Sequence, residues 1–410
     1  MKKVKFTALM LLLCIYVISA VSCGEKKRKE LVKREEYIAH LNEKYTDYKE
    51  MEYGLDITKK TDLISICYST WFTKILGEKT KNPNPPNITE ILAGEQEWGG
   101  LYQFHYWAKP ALGYYKSHDK EVIRTHMTQL SDAGVDFIII DNTNASRGWI
   151  GTNEWKLFVT LPCEAILDTI VEMRAKGLKT PYLVFWSGVN SDSGWSVVNE
   201  TYEQFYAQDK WKDCFVYWEG KPFMITTDSL AGAPETLTLR KMWGLNPQPQ
   251  EEIWSFLNIT NMPNLDKDGY VEQMCVCTAT QETYMSLPTA HGRNHGIFMY
   301  SQWYNAFKNR PKVITITWWN EWAAQRFEED GQNLFVDNYT QEYSRDIEPM
   351  EGGHGDQYYQ WMKEYIRAYR ALEECPVLVE AGYENDAAVS VKSTPVSYTH
   401  LRAHETDQYL

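Results

Sequence analysis

Cysteine is sparse and scattered in this 410-residue chain, with eight residues and no Cys-x-x-Cys pair. That pattern argues against a zinc site. No Gly-rich phosphate loop follows the first predicted strand, which counts against a nucleotide-binding sheet. Basic residues fall short of acidic ones, 42 against 55, for a net charge of −13. A surface of that sign repels phosphate backbones, so nucleic acid is not an expected partner. Long apolar runs are also lacking: there is one, at residues 6–21, which excludes a multi-pass membrane protein. Aromatic residues are plentiful, with 16 Trp and 27 Tyr. They support a real core and exclude a disordered chain.

The two ends read differently from the middle. Lys2, Lys3 and Lys5 precede the apolar run, which is shorter than the ~20 residues of a membrane span. Ala20-Val21-Ser22-Cys23 is similar to a bacterial lipobox. It implies a signal peptide over residues 1–22 and lipidation of Cys23, hence a chain anchored by lipid in the cell envelope, at the outer membrane or cell surface. Residues 23–60 are charge-rich and read as a tether, with partial helix allowed over residues 24–50. Residues 396–410 resemble the in-frame translation of a sequencing adapter and are set aside as an artefact. Residues 376–395 read as the opening of a second domain that this tail cuts short.

Between them, residues 61–375 alternate short apolar runs with amphipathic stretches. Leu63–Tyr68, Val135–Ile140, Tyr182–Phe185, Pro222–Thr226, Ile253–Leu257, Val271–Thr278 and Lys312–Trp318 read as seven strands. Runs that are apolar throughout suit strands covered on both faces, as in parallel sheets. Helices are expected over Glu121–Ala133, opened by Asp119 and closed by Gly134, and over Cys163–Ala175, Thr201–Ala207, Phe298–Asn309 and Gln357–Leu372. An eighth strand is expected where patterning is weak. The fold class is therefore α/β, a (β/α)8 TIM barrel, with a doubly wound sheet as the competitor. The six cysteines beyond Cys23 are expected as buried thiols, and a monomer is expected.

Polar residues follow the strands in order: Asp141 and Asn142, Trp186, Asp228, Asn258, Glu282, then Asn320, Glu321 and Trp322. A barrel gathers such positions on one face, where active sites are built. An acidic bowl rich in Trp suits an oligosaccharide or polysaccharide, and glycosidic cleavage requires carboxyl groups. Glu321 is the first catalytic candidate, against the alternative of a buried ion pair with Arg326 or Arg345. Asp141 and Glu348 are further candidates, each with a structural alternative: a turn cap and an internal salt bridge. His105, Trp107, Asn142, Trp186, Asn320 and Trp322 are candidates for holding sugar. No cofactor or metal motif is present, and Asp266-Lys267-Asp268-Gly269 reads as a surface turn.

Gly113-Tyr114-Tyr115, Asp119, Ala133-Gly134-Val135-Asp136-Phe137 and Asn320-Glu321-Trp322 together resemble glycoside hydrolases of families 71 and 99. The resemblance spans about Leu63 to Leu372. It implies a (β/α)8 fold and action on glycans: α-mannosides cleaved internally with retention in family 99, α-1,3-glucan in family 71. Glu321 matches the first Glu of an Asn-Glu-Trp-x-Glu pattern. The second falls on Ala324, so its role would pass to Asp141, Glu328 or Glu348. A glycan-binding lipoprotein that has lost turnover is the alternative function.

Overall fold

Leu63–Ser69 and Phe137–Asn142 are buried along their whole length, as strands are when other layers cover both faces. The computed structural model describes residues 32–78, 84–244, 251–281, 285, 290–336 and 340–393. The expected lipidation site Cys23, the signal segment, the tail at 396–410 and Glu282 lie outside them.

Eight parallel strands follow one another along the chain: β1 (Leu63–Ser69), β2 (Phe137–Asn142), β3 (Tyr182–Ser187), β4 (Lys221–Thr226), β5 (Thr238–Trp243), β6 (Ile253–Ser255), β7 (Val271–Cys277) and β8 (Val313–Thr317). Backbone ladders join each strand to the next from β1 to β6, and join β7 to β8 and β8 back to β1. The remaining seam, β6 to β7, is closed by a side chain. The Gln273 amide donates to Ser255 O at 2.8 Å and accepts from Ser255 N at 3.1 Å, imitating a strand neighbour. Closed strand order identifies a (β/α)8 barrel.

Period-two alternation sorts the side chains. Leu63, Cys67, Phe137, Ile139, Val184 and Trp186 fill the barrel interior. Their neighbours Ile64, Ile66, Ile138, Ile140, Leu183 and Phe185 face the helices. Those helices are α1 (Lys120–Ala133), α2 (Leu161–Ala175), α3 (Ile297–Asn309) and α4 (Gln357–Arg370). The Asp119 carboxylate caps α1 by accepting from the amides of Glu121 and Val122, and Gly134 ends it at φ 87°. A Cβ at Gly134 would lie 3.1 Å from Ile366 of α4, so close packing as well as backbone angle requires glycine. The helix expected at Thr201–Ala207 begins earlier, at Ser196–Thr201. Among the described residues no helix intervenes between β4 and β7.

The weakly patterned strand is β5. Its Arg240 and Lys241 reach Glu272 at 2.7 Å and Asp228 at 2.9 Å, so charges sit where apolar residues mark the other strands.

Two segments outside the strand–helix alternation pack on the barrel. Residues 32–44 are helical, and from there the expected tether is docked on the barrel. The buried Tyr37 hydroxyl donates to Asp266 at 2.9 Å, Arg34 pairs with Asp62, and Leu55–Asp56 runs parallel to Val216–Trp218. Asp266 also accepts from the amides of Asp268 and Tyr270, forming the expected turn. Residues 376–393 pack against the main body. Tyr383 stacks on His295 with centroids 3.8 Å apart, Glu380 meets the same ring at 2.9 Å, and Ala387 is fully buried in the main core.

The loops after β1 and β8 fold together above one side of the barrel. Phe104–Tyr106, Ala323–Glu329 and Gln332–Phe335 form an antiparallel sheet. Phe72, Ile88, Tyr106, Trp107, Trp322 and Met350 pack into its core.

Candidate active site

Chain direction places the C-terminal ends of β1 to β8 on one rim, and a hollow lies there. It encloses about 670 Å³ and is lined by Asp141, Glu321, Lys74 and five tryptophans: Trp71, Trp149, Trp186, Trp243 and Trp318. Asp141 occupies the penultimate position of β2, and its carboxylate accepts from Thr143 N at 2.9 Å, closing an Asx turn. Glu321 follows β8 by four residues and is 3% exposed. Its Oε2 accepts from Arg345 Nη2 at 2.7 Å. Burial, and after it the charges of Asp141 and Glu321, drives the Cys67 thiol of β1 far above its ordinary pKa. Both acids line the same hollow.

One returning segment holds Glu321 in place. Residues 345–348 lie beside 318–321: Trp318 N donates to Arg345 O at 3.2 Å, and Glu348 N to Trp319 O at 2.9 Å. Arg345, stacked near Trp318, reaches the Glu321 carboxylate and also donates to Gln281 at 3.1 Å. Asp346 accepts from the Glu321 amide and from Trp107 Nε1, the latter at 2.7 Å. Burial pushes Asp346 up to about 7, against the two donors and the Arg345 and Arg293 cations, which pull it down. Arg293 further secures the segment by donating to Asp346 O at 2.7 Å.

The structure thus brings together Glu321, Asp141 and Trp186 from the expected set. Glu348 does not line the hollow. It is 1% exposed and engaged by Tyr115, His126 and Trp322, at 2.6, 2.9 and 2.5 Å. Where a catalytic part was expected, the structure gives it the internal contacts of the alternative reading, holding Tyr115, His126 and Trp322 together away from the hollow. Trp322 and Trp107 stack on each other at 4.5 Å inside the loop core, so neither is a sugar platform. His105 is fully buried, with ring nitrogens facing Gln103 O at 2.9 Å and Trp98 O at 2.6 Å, and burial lowers its pKa. Asn320 ties β8 to β1, accepting from Ser69 N at 2.8 Å and donating to Ser69 O at 3.1 Å. Asn142 is fully buried beside Asp141 and off the hollow's wall. Of the other acids considered, Glu328 points away into a surface contact with Arg326. Ala324 does line the hollow, where it presents only a methyl group.

Trp71, Trp149, Trp243 and Trp318 are wall residues the sequence did not single out. Composition flagged abundant Trp, but wall and core tryptophans carry no distinguishing local pattern. The indole N–H groups of Trp71, Trp186 and Trp318 have no protein acceptor among the described residues.

The molecule is thus a (β/α)8 barrel with an acidic, tryptophan-walled hollow at the rim. It is similar to the solved endo-α-mannosidase of glycoside hydrolase family 99 from Bacteroides thetaiotaomicron, at 14% identity and TM-score 0.49, over 76% of this chain and 98% of that one. The same enzyme in complex with bis-tris-propane gives a TM-score of 0.48 at the same identity and coverage. A structure described as a glycoside hydrolase-like protein gives 0.38 at 12% identity, over 78% of this chain and 97% of that one. No protein-family profile and no curated protein matches the chain.

Proposed function

We propose that this protein is a glycoside hydrolase acting on an extracellular glycan, with Glu321 and Asp141 as its carboxyl pair. The observation that carries the reading is that both acids line one tryptophan-walled hollow at the C-terminal rim. Indole faces suit the C–H faces of sugar rings, and two carboxyls supply the acid–base or nucleophilic chemistry that glycosidic cleavage needs. Paired with the Arg345 guanidinium, Glu321 suits the part that works as an anion, attacking or stabilising the oxocarbenium-like centre. Asp141, fixed at the end of β2 by its Asx turn, suits proton transfer to the leaving oxygen and from water. The lipobox-like segment Ala20-Val21-Ser22-Cys23 supports a lipid anchor at Cys23, in the envelope of a bacterium.

The second reading, a surface glycan-binding protein without turnover, is favoured by one observation: Ala324 stands at the wall where a second carboxyl would be. Incubation of purified protein with α-glucans, α-mannans and plant polysaccharides separates the two. New reducing ends support the hydrolase. Binding without product supports the rival.

A further inference from the structure

Lys74 stands in the wall of the hollow with its charge unneutralised at close range. It lies on the short helix Phe72–Leu76 that follows β1. Its ammonium sits 3.5 Å from the centroid of the Trp149 ring and 5.8 Å from that of Phe158, both wall residues. Among the described residues it forms no hydrogen bond or ion pair. The carboxylate whose field reaches it is that of Glu154, at the surface, where it caps its own short helix with Thr152. Partial burial lowers the Lys74 pKa, so the ammonium has lost water without gaining an acceptor. The aromatic face compensates only in part, since a cation–π contact contributes ~0.5–2 kcal/mol. The three N–H donors remain for something that enters the hollow.

We infer that Lys74 selects glycans bearing an anionic substituent, a uronate carboxylate or a sulfate ester, at the sugar bound against Trp149. This rests on the glycosidase reading of the same hollow and adds the substrate's charge to it. The chain as a whole is acidic, at −13, so polyanions gain nothing from long-range attraction and the preference must be local. Glu321 is neutralised by Arg345, which limits its repulsion of an anionic sugar.

The test is calorimetric titration of the full chain with matched oligosaccharide pairs on glucan, mannan, galactan, xylan and fucan backbones. Each pair has a neutral member and one carrying uronate or sulfate, and titrations run at 20 and 300 mM NaCl. At least one acidic member should bind ~10-fold tighter than its neutral partner, weakening with salt while the neutral one does not. Whether uronate or sulfate gives the larger ratio identifies the anion. Lys74→Met, which keeps the aliphatic stem against Trp149, should erase the ratio, and Lys74→Arg should retain most of it. Glycans bound equally in both forms, or a ratio that survives Lys74→Met, would overturn the inference and leave the glycosidase reading standing. Binding of no pair at all would overturn both.

Discussion

The Glu321 carboxylate and the Arg345 guanidinium meet at 2.7 Å with 3% and 0% of their side-chain surfaces exposed. Neither charge has water to fall back on, so each depends on the other. The pair joins the end of β8 to the segment that returns beside it. It fixes the position of an acid that also faces the hollow.

Arg345→Met should therefore destabilise the fold by ~3 kcal/mol or more, the scale for stranding one partner of a buried pair. Urea melts of the variant measure it. A midpoint equal to wild type would mean that Glu321 finds its support elsewhere.

Asp141→Asn offers a cleaner probe of chemistry. The amide oxygen can still accept from Thr143 N, so the turn survives and the melting temperature should move little. Turnover should fall by ~10² to 10⁴ for loss of a proton-transferring carboxyl. Unchanged turnover on a confirmed substrate would remove Asp141 from the mechanism.

Asp346 predicts a pH dependence of stability. Its folded pKa is raised from 3.8 to about 7 by burial. Between those values the folded state holds a proton that the unfolded state has released. Stability should accordingly decline as pH rises from about 4 through 7, by at most ~1.4 kcal/mol per pH unit from this group. Urea midpoints of wild type and Asp346→Asn, taken at pH 5, 6, 7 and 8, should diverge in slope, with the variant flatter. Parallel profiles would show that Asp346 ionises normally.

Glu348→Gln should behave as a structural lesion. Tyr115, His126 and Trp322 all rely on this carboxylate. A loss of ~1–3 kcal/mol is expected for a buried network left partly unsatisfied. The kcat of the folded enzyme should stay within about threefold of wild type, since a change confined to the supporting network leaves both rim carboxyls in place. A hundredfold loss without destabilisation would restore Glu348 to the chemistry.

The barrel was legible because β1, β2 and β8 are apolar on both faces, a pattern few alternatives share. β5 was not, because Arg240 and Lys241 interrupt it and their partners, Glu272 and Asp228, lie elsewhere in the sequence. Glu321 stood out by position, just past an apolar strand. Arg345 was weighed only as a structural partner, and its contact across 24 residues follows from how the β8 loop doubles back, which local patterning does not encode. Trp322 drew notice by following the last strand and Trp107 by its aromatic neighbours at 104–106, yet both patterns fit equally two rings packed on each other. Trp149 and Trp318 lie in the wall for reasons of loop geometry alone.

The central claim is tested most directly by the steady-state turnover of Glu321→Gln on whichever glycan the wild-type protein cleaves. Glutamine keeps an acceptor for Arg345 and removes the charge. Turnover should drop by at least ~10², while the affinity for the same glycan stays near wild type. A variant that hydrolyses the glycan at close to the wild-type rate would contradict the account.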